Sequence, residues 1–197
     1  MIKEEILIEC GAIRKVYRKG EFIFYKGDEA RYYYQIISGE VKMNNFNDMG
    51  KEFIQGIFKE GRSFGEPPLF IDRVYPSNAQ VLKDVEVLVL PKAKFLKDVL
   101  RRDTCIEVLE TFAKRLYYKS LLAVEMSSEG PEHRILSVLD YFKIYIEKNT
   151  SDTLYKFDFT RQELANLTGL RVETVIRAIK SLESKGDIKI INRKVYR

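Results

Sequence analysis

The stretch TRQELANLTGLRVETVIRAIKSLE, residues 160–183, constrains this chain more than any other. Thr160 and Glu163 stand at the spacing of a capping box. There the hydroxyl accepts from the third helical amide and the glutamate reaches back to the cap amide. Leu164, Ala165 and Leu167 then predict a short helix, ended by Gly169, a residue that takes the left-handed conformation without penalty. A second helix comes next, with Val175, Ile179 and Leu182 on one face at spacings of four and three. Counting from Arg161, small Ala165 is fifth, Gly169 ninth and Val175 fifteenth. Two helices that cross closely need a small residue, a sharp turn and an apolar lock. The segment therefore predicts a helix-turn-helix, although spacing alone leaves an ordinary pair of core helices open.

Charge placement narrows that choice. The chain carries 34 Lys and Arg against 29 Asp and Glu, a net charge of +5. From Arg171 to Arg197 there are 8 basic residues (Arg171, Arg177, Lys180, Lys185, Lys189, Arg193, Lys194, Arg197) and 3 acids (Glu173, Glu183, Asp187), again +5. The excess thus lies wholly on the second helix and the C-terminal residues beyond it, which is the footprint of a phosphate-backbone binder.

Other classes are excluded by what the chain lacks. With 197 residues, 45% of them hydrophobic, it can bury one or two cores. No run approaches the roughly 18 apolar residues of a membrane span. The acidic start MIKEEILIECG is not a signal peptide. Cys10 and Cys105 are far apart, which predicts a reducing, cytoplasmic setting and no zinc or iron–sulfur site. A metal-dependent barrel enzyme would need clustered histidines. The single histidine, His133, lies outside the strand-rich region. No catalytic residue, metal ligand or cofactor is expected.

In chain order, residues 12–91 read as short strands separated by Gly20, Gly27, Gly39 and Gly61. The runs are 22–25, 32–37, 40–43, 53–58, 79–81 and 85–90, and they predict an antiparallel barrel or jelly roll. From Lys92 to Met126 the period becomes helical. Ile106, Leu109, Ala113, Leu116, Ser120 and Ala123 form a heptad-like seam, while Val108, Phe112, Leu122 and Met126 lie off it. Two apolar faces predict one packed on the barrel and one on a second copy of the chain. Residues 127–131, SSEGP, read as a break and hinge. Ile135, Val138, Leu139, Phe142 and Ile146 predict another amphipathic helix. Asn192-Arg193 turns a final hairpin, the wing of a winged helix-turn-helix. The fold class is α+β: an N-terminal antiparallel β-roll and a long dimerisation helix over 1–128, then a winged helix-turn-helix over 129–197.

Barrel, long helix, hinge and winged helix-turn-helix, in that order, resemble the Crp/Fnr superfamily of bacterial transcription regulators. GEFIFYKGD (20–28), ISGEVK (37–42), RSFGE (62–66) and residues 160–183 carry the resemblance across nearly the whole chain. It implies a homodimer that binds double-stranded DNA and engages RNA polymerase, with no membrane. The second helix of the motif would enter the major groove. Glu173 and Arg177 match the common base-reading positions, where arginine bonds guanine bidentately and glutamate accepts from cytosine. Arg171 joins them, with a phosphate role also open. Thr160, Arg161, Thr174 and Lys180 match phosphate contacts, which position without reading sequence. VETxxxR resembles the Fnr branch. Val172 stands where Crp reads with arginine, and Ile176 where Fnr has serine, which implies a different operator beside a shared G·C pair.

The effector cassette departs from the family pattern. Gly65 and Glu66 match the pair that begins it, but Pro76, followed by Ser77 and Asn78, stands where the cyclic-phosphate arginine belongs. Losing that charge-assisted pair costs about 1.5–3 kcal/mol, or about one to two decades of affinity. Pro67 and Pro68 also remove two amide donors. Ser120 matches the long-helix position that touches the base. Gly65, Glu66, Ser77, Asn78 and Ser120 are thus the candidate effector pocket, with cAMP not the expected effector. Two alternatives stay open: a cyclic-nucleotide regulator with a non-standard pocket in which Arg73 substitutes, and a ligand-binding or scaffold protein with a vestigial DNA-binding domain. Tyr25, the run Tyr32–Tyr34 and Tyr75 are aromatic-pocket or core residues.

Overall fold

A computed structural model describes residues 2–100, 104–128, 130–146 and 154–197. By packing, the chain divides into two units, Met1–Ala113 and Lys114–Arg197. This dividing line falls inside the long helix rather than at 127–131; of that break, Glu129 lies outside the described residues.

The first unit opens with helix α1 (Glu4–Glu9), which anchors through the fully buried Leu7. No element is expected there from the sequence. Strands β1 (Ile13–Tyr17), β2 (Phe22–Phe24), β3 (Tyr32–Phe46), β4 (Glu52–Lys59), β5 (Ser63–Phe64) and β6 (Asn78–Pro91) form one antiparallel sheet in the order β1-β6-β3-β4. β2 pairs with β6, and β5 with β3. β1 pairs with residues 85–89 of β6, whereas β2 pairs with residues 79–80, so neighbours change along the strand as in a rolled sheet.

Two pairs of short strands expected from the sequence are each one long strand. Ser38-Gly39 is not a turn between 32–37 and 40–43 but a bulge inside the 15-residue β3, which pairs with β6 from Tyr32–Pro91 to Asn44–Asn78. Register shifts fall between Ile36 and Val41. Likewise 79–81 and 85–90 belong to the 14-residue β6. The glycine is required because the crossing is tight. Gly39 has φ +91°, and a Cβ there would lie 2.2 Å from the Asp84 carbonyl oxygen. A bulge bends and twists a strand without ending it.

Pro67 and Pro68 open the single-turn helix α2 (Pro67–Ile71), where their missing N–H groups leave no hydrogen bond unmade. After β6 come α3 (Lys92–Lys94), a π-turn (Phe95–Val99) and the long helix α4 (Thr104–Ser128). Val108 is buried and Phe112 packs against the first unit's core, as the off-seam face of α4 requires. The Leu122 and Met126 side chains lie outside the described residues.

The second unit contains α5 (Pro131–Asp140), continued by a π-turn (Tyr141–Ile146), then β7 (Lys156–Phe157), α6 (Arg161–Thr168), α7 (Val172–Lys185), β8 (Lys189–Ile191) and β9 (Lys194–Tyr196). The strands form a small sheet in the order β7-β9-β8. Asn192 and Arg193 both have positive φ, 50° and 65°, as the two-residue hairpin turn demands. Ile135, Val138 and Leu139 of α5 are buried together with Val175, Ile179 and Leu182 of α7. No helix among the described residues is long and apolar enough to cross a membrane.

Gly39→Ala adds both a backbone clash and a forbidden φ. The expected loss of stability is about 3 kcal/mol, read from the urea midpoint of the full chain. An unchanged midpoint would contradict the tight bulge.

Candidate nucleic-acid interface

The helix-turn-helix is built as its residue types dictate. The Thr160 hydroxyl accepts from the Glu163 amide at 3.1 Å, and the Glu163 carboxylate accepts from the Thr160 amide at 2.7 Å. This completes the capping box. Leu164 and Ala165 are buried, and Gly169 ends α6 with φ 71°. α7 then buries Val175, Ala178, Ile179 and Leu182, which turns Glu173, Ile176, Arg177, Lys180 and Glu183 to solvent. Glu173, Arg177 and Lys180 recur at four and three, so they line one outward face.

Arg171 is the residue before α7, extended and exposed, and its side chain makes no capping hydrogen bond. It sits beside the start of the outward face, available to a ligand. Thr174 is partly buried next to it. Arg161 opens α6 half-buried; burial lowers the pKa of its guanidinium, and the nearby Glu183 charge opposes that shift. Thr160 is differently placed from what a phosphate donor needs. Its hydroxyl proton is directed at the Glu163 carboxylate, 2.9 Å away, so a phosphate would compete with the cap.

The basic excess that the sequence counts is not all interface. Arg197 makes a two-point ion pair with Asp140, one bond of 2.8 Å, and donates to the Asp187 carbonyl, which ties the chain end to α5. Lys185 pairs with Glu132, and Lys194 with Asp158 at 3.3 Å. Arg193 stands exposed at the wing tip beyond β8. The sequence marks it as part of the Asn192-Arg193 hairpin turn and by its charge, but not as a contact residue.

The candidate effector residues are scattered over different tasks. Gly65 sits beneath the stacked rings of Phe24 and Tyr75, whose centroids are 3.6 Å apart. A Cβ at Gly65 would lie 2.9 Å from the Phe24 ring. Tyr34 and Phe64 pack on the same ring cluster. Burial pushes the Tyr34 phenol far above its ordinary pKa, and the Tyr75 phenol upward too. Tyr33 is also buried, stacked on Phe95, whereas Tyr25 and Tyr32 are exposed. Glu66 is buried and lines a cavity of about 10 Å³ with Ser63, Glu107 and Thr111. That is room for about one water. Asn78 is occupied structurally: its side-chain oxygen accepts from the Lys26 amide and its amide donates to the Asn44 carbonyl. The Ser77 hydroxyl is fully buried with no hydrogen-bond partner among the described residues. Arg73 is exposed. Ser120 is exposed on α4, and its hydroxyl donates to the Leu116 carbonyl of its own helix. No group of three or more metal-ligating side chains occurs among the described residues.

A rolled antiparallel sheet, a long helix and a winged helix-turn-helix with a charged outward face are the parts of a DNA-binding transcription regulator. Comparison with known proteins agrees in both parts. The cyclic nucleotide-binding domain family matches residues 14–102, and the Crp-like helix-turn-helix domain matches residues 133–196. The chain belongs to the Crp/Fnr family of transcription regulators, which are not enzymes. It is 27% identical over 178 residues to the cyclic AMP receptor protein of Thermus thermophilus, covering 90% of this chain and 80% of that protein. It is 26% identical over 187 residues to the anaerobic regulatory protein of Bacillus subtilis, covering 93% and 79%. Among solved structures, the c-di-GMP responsive global regulator CLP of Xanthomonas campestris superposes with a TM-score of 0.76 at 24% identity, covering 96% of each chain. FixK2 from Bradyrhizobium japonicum superposes with a TM-score of 0.78 at 19% identity, covering 93% of this chain and 91% of that one. These two superpositions establish the fold.

Thr160→Ala removes one half of the capping box and is expected to destabilise the second unit by about 1 kcal/mol in urea denaturation. Arg177→Ala, on the solvent face, is expected to stay within about 0.5 kcal/mol of wild type. Equal losses for the two would place Arg177 in the packing instead.

Proposed function

We propose that this regulator acts as a homodimer that reads a two-fold-related operator with α7 and does not use cAMP as its effector. The observation that carries the DNA reading is the outward face of α7. Glu173, Arg177 and Lys180 are turned to solvent by a helix whose other side is buried. Arg177 pairs bidentately with guanine and Glu173 accepts from cytosine, while Arg171 reads a base edge at the head of the helix. Arg161, Thr174 and Lys180 grip phosphates, joined by Thr160 where the cap yields its proton. Arg193 at the wing tip adds a further phosphate contact.

The dimer is supported by α4. Ile106, Leu109 and Leu116 of the heptad-like seam are 61, 56 and 68% exposed, and Ala113, Ser120 and Ala123 are exposed with them. Leaving that stripe in water costs roughly 25 cal/mol per Å² of apolar surface, which a second copy would recover. Two recognition helices related by a two-fold axis then meet half-sites about one DNA turn apart.

The reading against cAMP rests on charge and space. Pro76 supplies no cation for a cyclic phosphate, and the Phe24–Tyr75 stack fills the space over Gly65. An anion placed there would lose its hydration without a partner.

Two measurements test this reading. Duplexes selected from random sequence by the full chain should contain two related half-sites, with binding that weakens steeply as salt rises. Arg177→Ala should flatten preference at one base pair per half-site by about 1–3 kcal/mol. Arg161→Ala should weaken all duplexes alike and lower the salt slope by about one. Equal loss on specific and random DNA from both variants would refute these roles. Calorimetry should give no cAMP binding in the low micromolar range; a saturating micromolar isotherm would overturn the effector assignment.

A further inference from the structure

We infer that the first unit carries a binding site for an uncharged, apolar small molecule, which shares Pro67 with the cassette but none of Gly65, Glu66, Ser77, Asn78 or Ser120. Phe70 and Ile71 of α2 face Cys105, Val108, Leu109 and Phe112 of α4 across a cavity of about 360 Å³. Small-molecule sites run to about 300–1,000 Å³. Among the described residues no charged side chain lines it, and the wall they form is almost wholly apolar. Such a wall suits an uncharged ligand, since a charge set against it would lose water without gaining a partner there. The wall is braced rather than loose. Phe70 meets Phe112 edge to face at 5.4 Å and Phe95 at 5.9 Å. Ile71 and Leu109, 65 and 56% exposed, stand at the mouth, and Val108, 9% exposed, lies deeper. The volume and the apolar wall fit a small apolar molecule; a second copy that buries Leu109 is the rival occupant, which the test below separates.

The site has a place in regulation because Leu109 belongs to both the cavity and the α4 seam. An occupant would change the packing of Leu109 and so the association of two copies; this consequence, unlike the site, rests on the homodimer proposed above.

The test uses the full chain and N-phenyl-1-naphthylamine, an uncharged apolar fluorophore. The expected result is saturable binding of one probe per chain. Alkylation of Cys105 by N-ethylmaleimide, followed by peptide mass spectrometry, should slow as probe is added, with the buried Cys10 as internal reference. Ile71→Lys, at an exposed position, should weaken probe binding about tenfold by placing a charge at the apolar mouth. Unsaturable fluorescence, unchanged affinity in Ile71→Lys, or Cys105 protection that depends on chain concentration alone would each overturn the site; the last would assign the groove to a second copy. Sedimentation and DNA binding are measured on the same samples. If both persist without probe binding, only this site falls. If probe binding persists without dimerisation or DNA binding, the functional reading falls and the site stands.

Discussion

The antiparallel pairing of β3 with β6 is the constraint on which the first unit depends. Every other strand of the sheet is attached to one of these two: β1 and β2 to β6, β4 and β5 to β3. The pair holds because both strands are long and tolerate irregularity at one place, where Gly39 passes the Asp84 carbonyl at a distance no side chain would allow. That bulge bends the sheet. The rolled sheet encloses Phe24, Tyr34, Phe64 and Tyr75, and these rings occupy the ground over Gly65. Backbone geometry at one residue and the chemistry of the barrel interior are therefore linked.

The second unit is organised differently, by short-range rules that agree with one another. A capping box starts α6, a left-handed glycine ends it, and a second such glycine, Gly186, ends α7. Packing of α5 against α7 then decides which residues of α7 remain outside. Ion pairs at the periphery, Arg197 with Asp140 and Lys185 with Glu132, tie α5 to the wing and to the end of α7. The Lys185 pair is solvated and contributes little, whereas the two-point Arg197 pair is partly buried. With Lys194, paired to Asp158, they remove three of the eight basic groups from the freely presented set and leave Arg171, Arg177, Lys180, Lys189 and Arg193.

How much was legible in the sequence differs between the two units for a physical reason. Caps, glycine stops and helical periodicity act over three or four residues, so Thr160, Glu163, Gly169 and the apolar face Val175, Ile179 and Leu182 could be placed from spacing alone, while Glu173, Arg177 and Lys180 were singled out by the family resemblance. The Asn192-Arg193 hairpin was equally local. The long strands were not legible. Ser38-Gly39 carries the same local signal whether it turns a hairpin or bulges a strand, and only the partner strand 45 residues later, at Asp84, chooses between them. The same holds for the cassette. Gly65 and Glu66 announced a ligand site by their order, but the space they share is set by the stack of Tyr75 on Phe24, and Phe24 comes from a strand remote in sequence.

The sequence by itself determined the order of parts, the helix-turn-helix and the apolar face of its second helix, because those depend on residue type at fixed short spacing. It also determined that no arginine stands at position 76. Only the tertiary structure decided that β3 and β6 run unbroken, that Arg197 serves α5 rather than a ligand, and that an apolar cavity opens beside Leu109. Each of these depends on atoms brought together from distant residues, and no local spacing rule encodes such a meeting.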